Sequence, residues 1–167
     1  MSNSNHDLTF RIVPTSSDVE GIRAMVSGTG FFRPDEVEIA VELAEVRIKE
    51  GLKSGYHFIL ADVHSELAGY ACFGLIPCSL LSWDLYWIVT KKEFQGKGIG
   101  GQLLLKAENE ITKNGGKNII IETSSKELYK GTQHFYDKYG YMLKARLEDF
   151  YDYGDDKLIY IKKLPVR

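Results

Sequence analysis

Apolar residues recur along this chain with two different periods, and the changes between them sort it into helices and strands. Phe10 to Val13 reads as a short strand, closed by Pro14. Ser16, Ser17 and Asp18 offer N-caps for a helix over roughly 19–26, which Ser27-Gly28-Thr29-Gly30 breaks. Pro34 suits the first turn of a second helix, where Val37, Val41, Ala44 and Ile48 recur at helical spacing until Gly51. Tyr56 to Ala61 and Leu67 to Leu75, separated by the polar turn Asp62 to Glu66, read as a hairpin, and Leu81 to Val89 as a third run. A glycine cluster at 96–101 then opens a helix with apolar positions Ile99, Leu103, Leu104, Ala107 and Ile111, ended by Asn114-Gly115-Gly116. Asn118 to Ile121 is a compact apolar run that suits a buried parallel strand. A shorter helix near Thr132 to Tyr139 stops at Gly140. Two last strands, near Met142 to Phe150 and Leu158 to Leu164, flank a turn rich in Asp and Tyr.

No linker, repeat or low-complexity stretch divides this order, so a single α/β (α+β) domain is expected over residues 1–167. Polar residues Met1 to Asp7 read as a disordered tail without the apolar run of a signal peptide. With 167 residues, 44% of them hydrophobic and 26% charged, the chain can bury a core without disulfides or metals. The net charge of −2 gives no sign of a nucleic-acid partner. Cys72 and Cys78 match no zinc spacing and read as buried or half-buried free thiols, so no metal is expected. The absence of any membrane-length apolar stretch adds an expectation of no membrane partner and a cytoplasmic setting.

The candidate chemistry starts at Gln95-Gly96-Lys97-Gly98-Ile99-Gly100-Gly101, after a strand and at the opening of a helix. Glycines there let the backbone approach a ligand, and the N–H groups of the first helical turn point at it, an arrangement that binds phosphate. Gly96, Gly98 and Gly101 satisfy the dinucleotide fingerprint, with Glu122 near the expected distance downstream. That fingerprint should follow its strand at once, whereas Lys91, Lys92, Glu93, Phe94 and Gln95 intervene. A nicotinamide-dependent oxidoreductase is therefore the remote alternative.

The same stretch resembles the GNAT superfamily of acyl-CoA-dependent N-acyltransferases. Gln95, Gly98 and Gly100 fill its signature of Gln or Arg, two residues, Gly, one residue, then Gly or Ala. Trp87-Ile88-Val89-Thr90 looks like the family's fourth strand, with Phe94 at its usual aromatic position. His134 to Tyr141 resembles the late block in which a Phe-Tyr pair precedes a Gly-aromatic pair. Where many members carry an Asn that contacts the pantetheine arm, Tyr129 stands near that position. The resemblance implies a central mixed, mostly antiparallel sheet of about seven strands flanked by about four helices. It implies an enzyme transferring acetyl from acetyl-CoA to a primary amine by direct attack in a ternary complex. It implies a cofactor site at Val89 and Thr90, with Gln95, Gly96, Lys97, Gly98, Ile99, Gly100 and Gly101. Its catalytic residues correspond to Tyr136, as acid for the departing thiolate, and Asp84, as base.

Read from the residues alone, Tyr136 fits equally a core aromatic beside Phe135 and Tyr139, and Asp84 a strand-end residue in water. Glu122 offers a second carboxylate, as a contact for the acceptor or as the base, a role that Asp84, Glu122 or a water could fill. Phe31, Phe32 and Arg33, between the early helices, and Asp149 and Tyr151, at the last hairpin, are the expected acceptor contacts. In the same turn, Asp152, Asp155 and Asp156 read as solvated. The acceptor is either a small amine or amino acid, or a peptide or protein N-terminus. The hairpin somewhat resembles protein N-terminal acetyltransferases of the ribosomal-alanine type. A non-catalytic acyl-CoA sensor of the same fold is the alternative, and a homodimer stays open as the assembly.

Overall fold

The helix–strand order read from hydrophobic spacing is the order in the computed structural model, which describes residues 8–165. The expected tail at Met1–Asp7 lies outside the described residues. Strand β1 (Leu8–Arg11) is followed by helices α1 (Ser16–Gly28) and α2 (Pro34–Glu50), then by β2 (His57–Val63), β3 (Glu66–Leu75) and β4 (Ser82–Thr90). Helix α3 (Ile99–Lys113), β5 (Asn118–Ser124), α4 (Lys130–Lys138), β6 (Met142–Asp152) and β7 (Asp155–Lys163) complete the chain. The strands form a seven-stranded sheet in the order β1-β2-β3-β4-β5-β7-β6. Strands β4 and β5 pair in parallel, while β1–β2, β2–β3, β5–β7 and β6–β7 are antiparallel.

The chain clusters into two compact units: one up to Gly74 with Trp87–Ala107, the other Leu75–Tyr86 with the chain from Glu108 onward. In the first, Ile22, Met25, Val26, Val37, Ala40, Val41 and Ala44 of α1 and α2 pack on Phe58, Leu60, Tyr70, Cys72 and Val89. Side chains alternate along a strand, so Gly69 faces the other way, towards Leu103 of α3. On α2 the buried stripe ends on Arg47, with Ile48 only half-buried, because a 3.6-residue period carries the face round to Arg47.

Helix α1 begins earlier than its apolar spacing suggested. Its N-cap is Thr15, and Asp18 sits at the third helical position, where its carboxylate accepts the Thr15 N–H at 2.7 Å. Asp18 also takes two bonds from the Arg11 guanidinium, at 2.5 and 2.6 Å, and Arg11 reaches Asp62 at 2.7 Å. Burial works against the Asp18 charge, but Arg11 and Thr15 outweigh it and hold the carboxyl below its ordinary pKa.

In the second unit β5 ladders with β7 from Asn118↔Lys163 to Ser124↔Lys157. Leu158 and Tyr160 face a packed layer, where Tyr160 meets Tyr136 of α4 at 5.9 Å and Tyr136 meets Tyr141 at 5.9 Å. Glu108 of α3 is buried and accepts from the Tyr141 hydroxyl at 3.0 Å and Lys162 Nζ at 2.8 Å. The alternate residues Lys157, Ile159 and Ile161 lie on the opposite, half-buried face.

The last hairpin differs from its expected form. Strand β7 starts at Asp155, and Asp155 and Asp156 are buried rather than solvated. Asp155 accepts from the Ser124 hydroxyl, and Asp156 pairs with Arg146 and accepts the Asp149 N–H at 2.9 Å. Carboxylates with such donors lose the reason to stay in water. Cys72 is buried as expected, but Cys78 is exposed in the turn after Pro77.

Candidate functional site

In the first unit the strand-to-helix passage has the form a phosphate cradle needs. Gly96 and Gly98 have φ of +73° and +80°, a region in which side-chain-bearing residues are strained. The first bond into α3 runs from the Gln102 N–H to the Gly98 carbonyl at 3.1 Å. The N–H groups of Ile99, Gly100 and Gly101 precede that ladder and so lack a partner within the helix, the usual place for an anion. Gln95 donates its side-chain amide to the Thr90 carbonyl at 3.1 Å, tying the loop back to the end of β4. Lys97 is exposed, with its ammonium 5.2 Å from the Phe94 ring centroid. Open backbone donors, positive dipole and a nearby cation fit the diphosphate of coenzyme A.

The same unit carries the loop between α1 and α2. Phe32 is half-buried and meets Trp87 of β4 edge-on at 4.9 Å, while Phe31 lies 6.5 Å from Phe32. Arg33 is exposed at the N-terminus of α2, and its guanidinium bonds both Asp35 oxygens, at 3.1 and 3.2 Å. It therefore meets a carboxylate within its own helix turn.

In the second unit a carboxylate–ammonium cluster forms on the half-buried face. The parallel ladder of β4 and β5 runs through only three pairs, Ser82↔Asn118, Trp83↔Ile119 and Asp84↔Ile120. Asp84 is its last member, and strand alternation sets Asp84, Ile120 and Glu122 on one side. Ser124 pairs with Lys157, which puts Lys157 on that side also, and its Nζ reaches Glu122 at 2.7 Å. Lys157 lies over the Phe150 ring at 3.6 Å and within 5.8 Å of the Tyr151 ring centroid. Half-buried Asp84 has a raised pKa: desolvation is the main cause and the Glu122 charge adds to it, against an opposing pull from Lys157. A carboxyl with a raised pKa accepts a proton more readily than an ordinary carboxylate.

Asp149, expected with Tyr151 as an acceptor contact, is bonded into the hairpin. It has φ of +50°, and its carboxylate accepts the Gly154 N–H at 2.7 Å.

Tyr136 lies across the sheet from this cluster, because Tyr160, its partner, and Lys157 point to opposite faces of β7. Of the three aromatic residues on α4 and at its end, Tyr136 is the buried one, while Phe135 and Tyr139 are half-buried. Burial pushes its phenol well above the ordinary range, which keeps it protonated. A permanently protonated phenol can donate but not act as a base.

Lys157 was not picked out in the sequence. Its signal is the strict alternation of β7, which becomes visible only when the strand is started at Asp155 instead of Leu158. Among the described residues no group of His, Cys, Asp and Glu is placed to hold a metal, and no helix is long and apolar enough to cross a membrane.

A seven-stranded sheet with this order, and a glycine cradle following its fourth strand, define an acyl-CoA-type transferase fold. Comparisons with known proteins agree. Residues 54–143 match the acetyltransferase (GNAT) domain. A protein of Desulfovibrio desulfuricans, assigned to the GNAT acetyltransferases, is 36% identical with a TM-score of 0.91, covering 93% of this chain and 98% of its own. An uncharacterised N-acetyltransferase of Methanocaldococcus jannaschii is 29% identical over 112 residues, 65% of this chain and 67% of that protein. A Salmonella typhimurium structure with acetyl-CoA is 16% identical with a TM-score of 0.75, covering 99% of this chain and 96% of its own, a likeness of fold alone. The chain belongs to the GNAT acetyltransferase superfamily. The sheet order also removes the dinucleotide reading, which needs a run of parallel strands where only β4–β5 is parallel among the ladders above.

Proposed function

We propose that the whole chain acts as one acetyltransferase, moving acetyl from acetyl-CoA to a primary amine by direct attack in a ternary complex. The observation that carries this reading is the cradle: two glycines at positive φ, followed by three N–H groups ahead of the helix ladder, in a chain of this family. Acetyl-CoA supplies an activated acyl carbon. The N–H groups of Ile99, Gly100 and Gly101 bind its diphosphate, with Gln95, Gly96, Lys97 and Gly98 shaping the loop. The β4–β5 ladder ends at Asp84, and the β4 backbone beyond it, at Val89 and Thr90, pairs with the pantetheine arm and offers a donor to the thioester oxygen.

The acceptor amine arrives protonated and must lose a proton before it attacks. Asp84, with its raised pKa, takes that proton, and Glu122 holds the neighbouring cation. Tyr136 is protonated at every physiological pH and donates to the departing thiolate. Phe31, Phe32 and Arg33 in the first unit, and Tyr151 in the second, are each a candidate contact for the acceptor, and Asp149 shapes the hairpin that carries Tyr151. The acceptor is a small amine or amino acid, or a peptide N-terminus.

The test follows free thiol released from acetyl-CoA over a panel of amines, amino acids, polyamines and peptides. Amine-dependent release is expected, and it should fall about 10²–10⁴-fold in Tyr136→Phe with acetyl-CoA binding retained. Binding without release across the panel would favour a sensor of the same fold, and absence of acetyl-CoA binding would overturn the reading.

A further inference from the structure

The groups that best suit an incoming ammonium already hold one. Lys157 Nζ sits 2.7 Å from a Glu122 oxygen, 3.6 Å from the Phe150 ring centroid and 5.8 Å from that of Tyr151, on the strand face shared with Asp84. Carboxylate and aromatic faces together are the usual surroundings of a bound primary ammonium. The Lys157 side chain is only 12% exposed, against 46% for Glu122, so the cluster is built around the cation. Other paired lysines differ. Lys113 and Lys126 meet their carboxylates at 62% and 51% exposure. Lys162 is a natural comparison within the same strand: it is 22% exposed and paired with Glu108, but on the opposite, packed face and away from Asp84.

We propose that Lys157 is an internal acetyl acceptor, modified by the protein's own transfer of acetyl from acetyl-CoA to its Nζ; this rests on the acetyltransferase reading above. The Lys157 ammonium gives one proton to Asp84 and through it to solvent, and the freed amine attacks the thioester carbonyl. The new N–C bond forms as the C–S bond breaks, and the second departing proton ends on the coenzyme A thiol. The products are N-acetyl-Lys157, free coenzyme A and one solvent proton. Acetylation removes the positive charge that Glu122 pairs with, leaving Asp84 and Glu122 to an external ammonium.

The experiment incubates the full chain with acetyl-CoA alone, without an added amine, and reads intact mass and the modified position by peptide mapping. Thermal protection by acetyl-CoA is measured in parallel. The expected result is one acetyl group on Lys157 with Lys162 unmodified. The increment should be lost in Lys157→Arg, which keeps the charge, and in a Gly98→Val variant that disables the cradle. Protection by acetyl-CoA with Lys157 unmodified would overturn the proposal and leave the enzyme reading standing. Modification of Lys157 that persists undiminished in Gly98→Val would also overturn it, since that is uncatalysed chemistry. A chain that acetyl-CoA neither protects nor modifies would refute the acetyltransferase reading itself.

Discussion

Gly69 tests how β3 supports the strand proposed to hold the cofactor. A Cβ built there would lie 2.9 Å from the Val89 carbonyl oxygen, 3.1 Å from Leu103 Cδ1 and 3.4 Å from Thr90 Cα. Leu103 can rotate, but the Val89 and Thr90 contacts are backbone and yield only if β4 moves. Overpacking of this kind costs about 1–3 kcal/mol, and replacing a strand glycine returns about 0.5–1 kcal/mol of backbone entropy. The net expectation for Gly69→Ala is a loss of about 1–2 kcal/mol, or a fall in melting temperature of about 2–4 °C per kcal/mol for a chain this long. Because Val89 and Thr90 are the proposed pantetheine ladder, acetyl-CoA affinity should fall with it, by about tenfold if 1.4 kcal/mol of the strain is felt there. Thermal unfolding and calorimetric titration with acetyl-CoA measure both. Gly21→Ala is the control. Its Cβ meets Leu67 Cδ2 at 3.2 Å, the end of a flexible side chain, and it lies inside α1, where alanine is favoured by about 1 kcal/mol. A Gly69→Ala protein with wild-type stability and affinity would refute the packing argument. Lower stability with unchanged affinity would separate β4 from the cofactor.

Two pH-dependent effects follow from carboxyl groups shifted in opposite directions. Asp18 has a depressed folded pKa, so its stabilisation is present above the unfolded value of about 4 and is lost as pH falls through the folded one. Asp18→Asn should cost about 1.5–3 kcal/mol at pH 7, with the gap to wild type closing in acid on denaturant titration. A gap independent of pH would mean the Arg11 pair contributes nothing through charge. Asp84 has a raised pKa, so the transfer rate should fall as pH drops through a value above the ordinary carboxylate range. That limb should disappear from the pH–rate profile of Asp84→Asn, and its survival would exclude Asp84 as the base.

Much of the molecule was legible because its signals are local. The spacing of Val37, Val41 and Ala44 marks α2, and the glycines at 96 and 98 mark the cradle, because each depends on residues within a turn of itself. What was misread depended on distant partners. Asp155 and Asp156 look like turn residues until Ser124 and Arg146 are brought to them from other strands. Thr15 becomes the cap of α1 because Asp18, fixed by Arg11, reaches back to its N–H. Burial distinguishes Tyr136 from Phe135 and Tyr139, which the helix pattern alone could not rank.

By itself, then, the amino-acid sequence determined the order of elements, the place of the glycine cradle and the family the chain belongs to. Tertiary structure decided the charge environment. Sheet pairing over β4, β5 and β7 put Asp84, Glu122 and Lys157, far apart in the chain, on one strand face and Tyr136 against the other. The reason is physical: backbone conformation answers to near neighbours, whereas desolvation and Coulomb interactions depend on whatever the fold brings within a few ångströms.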